Sequence, residues 1–305
     1  KGGGEHDSFY QFIFELCVVV FHYGCNCRIR YFCGYYHAEE KEFERCSSPG
    51  KRGVRATGGK ITISAVTTAL FFGGRNMRFD AVLWDVDGTL LDFKYSQRIS
   101  LCKCLEEIGI APTDELVERY DKINVDWWQR LERGEIGKEQ LLTGRFHEFF
   151  EKCGFSAKDV LTFQNHYEEN LGQVYQYRDN SLEVCKALKG KCRQFVVTNG
   201  VAATQMQKLK AAGFFSVMDN VFISEQVGAP KPQRAFFDRV FEAIPGVDRN
   251  RILIVGDSLS SDMRGGNNAG IVCCWYNPAG EVNHTEVTTD YVIKHLGEVL
   301  PIVEG

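Results

Sequence analysis

The order of apolar runs and helical patterns in the second part of the chain limits the fold more than any other feature. After Leu182, short apolar runs at 194–198, 221–224, 252–255 and 271–275 alternate with helical patterns of roughly 10 to 15 residues. Parallel strands need helical crossovers of this kind, and sheets built from them are covered on both faces. The sequence therefore predicts an α/β fold with a Rossmann-like parallel sheet core and helices on both faces.

An all-helical block separates this pattern from an earlier apolar run at 81–85. Its four amphipathic stretches lie at 95–109, 113–133, 137–153 and 156–176, and the first three stop at Gly109, Gly134 and Gly154. A helical block inserted after a first strand predicts an α-helical cap on the α/β core. We expect the core to comprise residues 77–94 and 178–305, and the cap to comprise residues 95–177.

Residues 1–76 differ in character from the remainder of the chain. They show no sustained period of 2 or 3.6 residues, and the first methionine is Met77. We expect an irregular N-terminal extension that is not native or not part of the enzyme. A metal knuckle is the weaker interpretation, because Cys-x-Cys followed by a lone Cys is not a usual zinc spacing. The residues of that knuckle would be Cys25, Cys27, Cys33 and His37.

Composition indicates the environment rather than the function. A net charge of −4 gives no electrostatic reason to expect a nucleic acid polymer as partner. No apolar stretch is long enough to span a membrane, and the 12 cysteines follow no disulfide framework. Cys273 and Cys274 are adjacent in a predicted strand, so their side chains should point to opposite faces. We expect a cytoplasmic protein with reduced cysteines and no membrane partner.

The strongest local motif is Asp85-Val86-Asp87-Gly88-Thr89, directly after the run Ala-Val-Leu-Trp. Carboxylates at i and i+2 point to the same side, and Gly88 permits an immediate turn. One carboxylate can attack phosphorus to form an acyl phosphate. The other can protonate the leaving alkoxide and later deprotonate water. Taken alone, the motif is also typical of a surface turn.

Two further segments carry groups that can hold a phosphoryl group. An apolar run ends in Thr198-Asn199-Gly200, where the hydroxyl and the N–H groups opening the next helix can bind phosphate oxygens. Lys231 stands between two prolines, which restrict the backbone around an ammonium that can neutralise the phosphoryl group. Taken singly, the first segment is also typical of a helix N-cap and Lys231 of a surface lysine.

The run 252–255 is followed by a Gly-Asp-Ser sequence that contains Asp257, with Asp262 five residues further on. Carboxylates at the ends of separate strands repel each other unless a cation lies between them. Mg²⁺ prefers few carboxylates together with waters and phosphate oxygens. A capping Asp is the alternative for this segment alone. All the motifs in this order favour a magnesium-dependent phosphomonoesterase with a covalent aspartyl-phosphate on Asp85.

Together these residues resemble the motifs of the haloacid dehalogenase (HAD) superfamily of hydrolases with a helical cap. The resemblance extends over residues 77–305 and implies that Asp85 is the nucleophile and Asp87 the general acid and base. True dehalogenases lack the second Asp of this motif, so Asp87 favours a phosphatase. The residues that the resemblance implies for binding the substrate phosphate are Thr198, Asn199, Gly200 and Lys231, with Lys231 also catalytic.

The same resemblance implies a magnesium site. Its ligands would be Asp85, the backbone carbonyl of Asp87, and Asp257. Asp262 would support these ligands without binding the metal itself. Mg²⁺ is therefore the expected cofactor.

A finer resemblance is to the pyrimidine 5′-nucleotidases that remove non-canonical nucleoside monophosphates. The stretches that carry it are 84–93, 131–146, 222–232 and 269–277. Two alternatives stay open. One is a phosphoglycolate or sugar-phosphate phosphatase, or a phosphomutase, of the same superfamily. The other is a catalytically silent binding protein, which is disfavoured because no catalytic position is lost. The expected partner is a small-molecule phosphomonoester, and the sequence leaves the oligomeric state open.

The predicted cap gives weaker indications. Asn124, Trp127, Trp128 and Leu131 recur at helical spacing, and an aromatic among them could stack on a nucleobase. Such stripes are more often core, and we expect this of Phe146, Phe149 and Phe150. Arg145 is expected to be a solvated helix charge.

Overall fold

The computed structural model describes residues 77–305, with the exception of residues 157 and 159. The N-terminal extension and its possible metal knuckle lie outside the described residues. Within the described part of the chain, no helix is both long and apolar enough to cross a membrane.

A six-stranded sheet, parallel at every pairing, forms the centre of the fold, in the order β3-β2-β1-β4-β5-β6. This is the doubly wound order, in which the direction of winding reverses between β1 and β4. The predicted fold class is confirmed. The last strand was not predicted, because its three residues are too few to show a period. The strands are β1 (Ala81–Trp84), β2 (Arg193–Thr198), β3 (Asn220–Ile223), β4 (Ile252–Gly256), β5 (Val272–Tyr276) and β6 (Tyr291–Ile293).

Ten α-helices lie among the described residues. The first five lie between β1 and β2, and the others lie between later strands or after the last one. They are α1 (Phe93–Glu107), α2 (Asp114–Glu132), α3 (Lys138–Cys153), α4 (Val160–Gln173), α5 (Ser181–Leu188), α6 (Ala202–Ala211), α7 (Ser224–Val227), α8 (Arg234–Ala243), α9 (Arg264–Ala269) and α10 (Val299–Glu304). A π-helical turn at Leu259–Met263 precedes α9.

Successive residues of the buried strands contribute to two separate hydrophobic clusters, one on each face of the sheet. In β1, Val82 and Trp84 belong to one cluster and Leu83 to the other. Cys274 and Cys273 divide in the same way, so the prediction that their side chains point to opposite faces is confirmed. The described cysteines are all free thiols.

The helices α1 to α4, here called the helical insert, share a third hydrophobic cluster of their own. Phe146, Phe149 and Phe150 lie in it, as expected. The predicted stretches match these helices within a few residues, and side-chain caps at Asp92 and Thr113 set the first two starting points. The division of the chain into core and cap stays a prediction.

The two segments that join the insert to the sheet lie side by side. Leu91 and Tyr177 form an antiparallel bridge. Asp92 N–H donates to the Gln176 carbonyl at 2.8 Å, and Arg178 N–H donates to the Leu90 carbonyl at 3.1 Å. The insert therefore leaves and rejoins the sheet through adjacent backbone segments.

Candidate active site

The carboxyl ends of β1, β2 and β4 meet at the edge of the sheet where the winding reverses. Asp85, Thr198 and Asp257 stand at or directly after these ends, and all three line a cavity of about 500 Å³. In open α/β sheets this edge is where ligands bind. The volume is within the usual range for small-molecule pockets.

Two glycines make the close approach of the strand ends possible. Gly88 has φ +100°, which allows the turn that follows the first carboxylates, and a Cβ there would overlap the Asp257 carboxylate. At Gly256, a Cβ would overlap the Asp262 carboxylate. Any larger residue at either position would push an acid out of the site.

Lys231 is buried among the acids and binds two of them. Its Nζ donates to Asp85 Oδ1 at 2.8 Å, to Asp262 Oδ1 at 2.6 Å and to the Val197 carbonyl at 2.7 Å. Burial alone would lower the pKa of Lys231, but the carboxylates of Asp262 and Asp85 outweigh it and raise the pKa above its ordinary value. Lys231 is therefore a fixed cation beside Asp85, not the surface lysine of the alternative interpretation.

The acids carry more negative charge than Lys231 can compensate. Carboxylate oxygens of Asp85, Asp257 and Asp262 all lie within 4.8 Å of one another. Burial raises the pKa of Asp85 to about 7, although Lys231 opposes this. Asp257 faces the cavity, but the surrounding protein shields its carboxyl group from bulk water. This desolvation, together with the negative charges of Asp85 and Asp262, raises the pKa of Asp257 well above the usual range. A hard divalent cation such as Mg²⁺ fits this donor set because it would relieve the repulsion.

The Asn199 side chain holds the backbone on both sides of the Lys231 Cα. Its Nδ2 donates to the Lys231 carbonyl at 2.9 Å, and its Oδ1 accepts from the Lys231 N–H at 2.8 Å. Thr198 Oγ accepts from the Gly200 N–H at 3.1 Å. The N–H of Ala202, which opens α6, is bound by Glu225 Oε2 at 2.9 Å. In this arrangement neither the Gly200 N–H nor the Ala202 N–H is free to bind a phosphate oxygen.

Asp87 is held by two residues of α6 that the sequence analysis did not identify. Gln205 Nε2 donates to Asp87 Oδ2, and Lys208 Nζ donates to Asp87 Oδ1 at 2.7 Å. Lys208 is fully buried and its Nζ lies 5.8 Å from the centre of the Phe93 ring, which lines the cavity. The Asp87 carboxylate is thus fixed at both oxygens.

The other side of the cavity is formed by one face of α2, here called the insert face: Asn124, Val125, Trp128, Gln129 and Glu132. Near its end, Glu132 Oε2 accepts from Ser260 Oγ at 2.6 Å. Burial raises the pKa of Glu132, against the effect of that hydrogen bond. The insert therefore covers the acids and meets the segment that carries Asp262.

Lys138, the first residue of α3, also joins the insert to the loop that follows β2. Its Nζ donates to the carbonyl of Asn199 and, at 2.7 Å, to that of Gly200. An ion pair with Glu225 at 3.0 Å and the ring of Trp128 at 5.7 Å complete its surroundings.

Arg145 contradicts the expectation of a solvated helix charge. Only 1% of it is exposed, and its Nη2 pairs with Glu168 Oε1 at 2.5 Å. Of the predicted aromatic stripe, Trp128 lines the cavity, whereas Trp127 packs against the hydrophobic cluster of the insert and donates to Glu148 at 2.8 Å.

Comparison with known proteins places the chain in a family. The family model described as haloacid dehalogenase-like hydrolase matches residues 79–270. The chain is 33% identical to the putative HAD-hydrolase YfnB of Bacillus subtilis over 226 residues, which cover 74% of this chain and 96% of YfnB. The chain belongs to the haloacid dehalogenase-like hydrolases. The resemblance to the haloacid dehalogenase superfamily is thereby confirmed, and so is the predicted enzyme class, the hydrolases of phosphoric monoesters.

Relatives of this hydrolase include proteins with named substrates. This chain is 32% identical to the pyrimidine 5′-nucleotidase PynA of Streptococcus pneumoniae, over 75% of this chain and 96% of PynA. The crystal structure of YfnB bound to magnesium superposes with a TM-score of 0.71 at 32% identity, over 74% of this chain and 99% of YfnB, and is described as revealing interdomain movement.

In this HAD-like hydrolase every predicted site residue lies around one cavity, with Asp262 joined to Asp85 through Lys231. The residues missed were Gln205 and Lys208. They lie one turn apart on the helix after the Thr198 loop, and this spacing places them on one face of it. This spacing was the only signal in the sequence, and it does not indicate that Gln205 and Lys208 contact Asp87.

Proposed function

We propose that this hydrolase is a Mg²⁺-dependent 5′-nucleotidase that dephosphorylates pyrimidine nucleoside monophosphates through an aspartyl-phosphate on Asp85. The observation that carries the mechanism is the ion pair of Lys231 with Asp85, close to Asp257 in the lining of one cavity. The relatives named as pyrimidine 5′-nucleotidases support the substrate class.

Asp85 is the nucleophile in this proposal. Lys231 binds its Oδ1, which leaves Oδ2 to attack phosphorus while the ester P–O bond breaks. The ammonium also offsets the repulsion between the carboxylate and the anionic phosphoryl group. When bound by Asp85, Asp257 and the Asp87 carbonyl, Mg²⁺ would supply further charge stabilisation to the phosphoryl oxygens.

Asp87 handles the proton in both half-reactions. As a carboxylic acid it gives its proton to the departing alkoxide, which leaves as the nucleoside. As a carboxylate it then takes a proton from the water that attacks the acyl phosphate, so that inorganic phosphate and free Asp85 result. Gln205 and Lys208 keep its side chain in one orientation through these steps.

The loop at Thr198 and the helical insert complete the site. In this proposal the Thr198 hydroxyl and the Asn199 N–H bind phosphoryl oxygens, and the Gly200 N–H joins them once Thr198 Oγ turns to the substrate and releases it. The Asn199 side chain also fixes Lys231. We propose that the cap comprises residues 95–177 and that it excludes water other than the attacking molecule when it covers the cavity.

The test is a phosphomonoester panel with the full chain, with and without Mg²⁺, beside Asp85→Asn. We expect selective phosphate release from UMP-type substrates that is lost without metal and in the variant. Turnover confined to sugar phosphates or phosphoglycolate would retain the mechanism and reject the nucleotidase. A folded protein with no metal-dependent turnover of any phosphate ester would reject both and favour the silent binding protein.

A further inference from the structure

A chain of buried polar side chains crosses the helical insert and ends at the cavity. Arg145 Nη2 pairs with Glu168 Oε1, and Glu168 Oε2 accepts from Thr204 Oγ of α6 at 3.0 Å. At the other end, Arg145 Nη1 donates to Asn124 Oδ1 at 2.8 Å. Removing a cation from water costs free energy that partners only partly return. Burying Arg145 therefore costs free energy, and one result is a fixed position for the Asn124 amide. We take this as an indication that the position of the amide has a function.

The orientation of the Asn124 amide is fixed from both sides. Arg145 can only donate, so the Asn124 atom that it meets is the oxygen. The nitrogen of Asn124 donates to Gln97 Oε1 at 3.0 Å, and Gln97 Nε2 in turn donates to Asp121 Oδ1 at 2.9 Å. Asn124 is only 2% exposed, and it lines the cavity. One N–H and one acceptor lone pair of its amide remain for a ligand.

Asn124 and the phosphoryl end of the cavity lie at different positions along α2. Glu132 marks the phosphoryl end, because Ser260, which it binds, is two residues from Asp262. Asn124 precedes Glu132 by eight residues, which is about 12 Å along a helix. A phosphomonoester seated on Asp85 would therefore direct its leaving group, not its phosphate, toward Asn124.

We infer that Asn124 recognises the edge of the pyrimidine base of a nucleoside monophosphate, and that Arg145 and Gln97 are positioning residues for it. The inference rests on the proposed function and names the residue that selects its substrate. A primary amide presents a donor and an acceptor side by side, and so do the ring edges of uracil and cytosine. Asparagine reads a nucleobase edge elsewhere with the same pair of atoms. A sugar phosphate without a base offers no such edge.

The experiment compares two substrates that share ribose and phosphate, UMP and ribose 5-phosphate, by kcat/KM with the full-length protein. The variant is Asn124→Leu, and the matched control is Asn170→Leu, since Asn170 is also a buried amide of the insert but lies outside the cavity lining. Asn124→Asp is the second variant. It keeps the size and the Arg145 partner but lacks the N–H, so it tests the inference if the leucine variant does not fold.

We expect both Asn124 variants to lose about 10- to 100-fold in kcat/KM on UMP, the effect of one or two hydrogen bonds. Turnover of ribose 5-phosphate should stay within about twofold of wild type, since neither the phosphate nor the ribose is bound by this amide. Asn170→Leu should change kcat/KM on both substrates by the same factor or not at all. Equal losses on both substrates in the Asn124 variants, or no loss on UMP, would overturn the inference while the nucleotidase stands. A wild type inactive on all nucleotides would overturn the proposed function, and the inference with it.

Discussion

The two sides of the cavity differ in how firmly their polar groups are fixed. On the sheet side, Lys231 binds both Asp85 and Asp262, and strand ends and a glycine turn hold these residues. On the insert side, Asn124 is buried and held, whereas Val125 and Gln129 are exposed in the cavity. The sheet side thus offers one arrangement suited to one reaction. On the insert side, Val125 and Gln129 are positions that can change without disturbing that arrangement.

If this contrast is right, changes on the sheet side should affect all substrates alike. The largest effect is expected for Asp85→Asn, because it removes the attacking oxygen and leaves the volume unchanged. Turnover of every phosphomonoester should fall by about 10⁴-fold or more. Phosphate release measures this, and acid quenching should no longer trap a phosphorylated protein. A variant that still forms such an intermediate would show that the nucleophile is another residue.

Lys231→Met should have the next largest effect, with turnover of all substrates reduced about 10²- to 10³-fold. The methionine leaves the charges of Asp85 and Asp262 without their shared cation, so the phosphoryl group meets a more strongly repelling site. Steady-state kinetics on UMP and on an aryl phosphate measure the loss. Lys210→Met, at an exposed lysine, is the control for the same chemical change. Similar kinetics in both variants would show that the buried ammonium has no special role.

Lys208→Met should separate the two half-reactions. Without Lys208, Asp87 loses the partner of its Oδ1, and proton donation to an alkoxide should slow by about 10²-fold. An aryl phosphate whose leaving group needs no proton should still phosphorylate Asp85. A rapid burst of nitrophenol from p-nitrophenyl phosphate, followed by slow turnover, is the expected signature. Equal slowing of alkyl and aryl substrates without a burst would contradict the positioning of Asp87 by Lys208. Lys210→Met again serves as the control.

The smallest effect is expected where the two sides touch. Lys138→Met removes the contact of the insert with the carbonyls of Asn199 and Gly200. We expect KM to rise about tenfold for all substrates, because the insert then covers the loop less firmly. Michaelis–Menten kinetics measure this, with Lys122→Met at an exposed lysine of α2 as the control. A rise confined to nucleotides would instead make Lys138 a residue that recognises the base.

The sheet side was largely predictable because its signals are local in sequence. An apolar run followed at once by an acid or a hydroxyl identifies Asp85, Thr198 and Asp257, and parallel strands bring their carboxyl ends to one edge. Lys231 could be placed only through the resemblance. The contact of Lys231 with Asp85 is set by how the chain folds. The two prolines next to Lys231 in the sequence do not indicate it.

The insert and the supports of Asp87 were less predictable for the same reason. A charged residue on an amphipathic helix normally faces water, so the expectation for Arg145 was wrong. Its burial depends on Glu168, which lies on another helix 23 residues later. Gln205 and Lys208 likewise acquire their role from Asp87, more than a hundred residues earlier. Such pairs have no local sequence signal.

The side-by-side path of the segments at Leu91 and Tyr177 has a consequence for how such enzymes diversify. Because the insert begins and ends at neighbouring points, the sheet would need only a short bridge if the insert were exchanged for that of a relative. The chemistry proposed for Asp85 could then be combined with a different insert face in one recombination event. A chimera in which the PynA segment aligned with residues 95–177 replaces the insert would show whether one site can act on different substrates in this way.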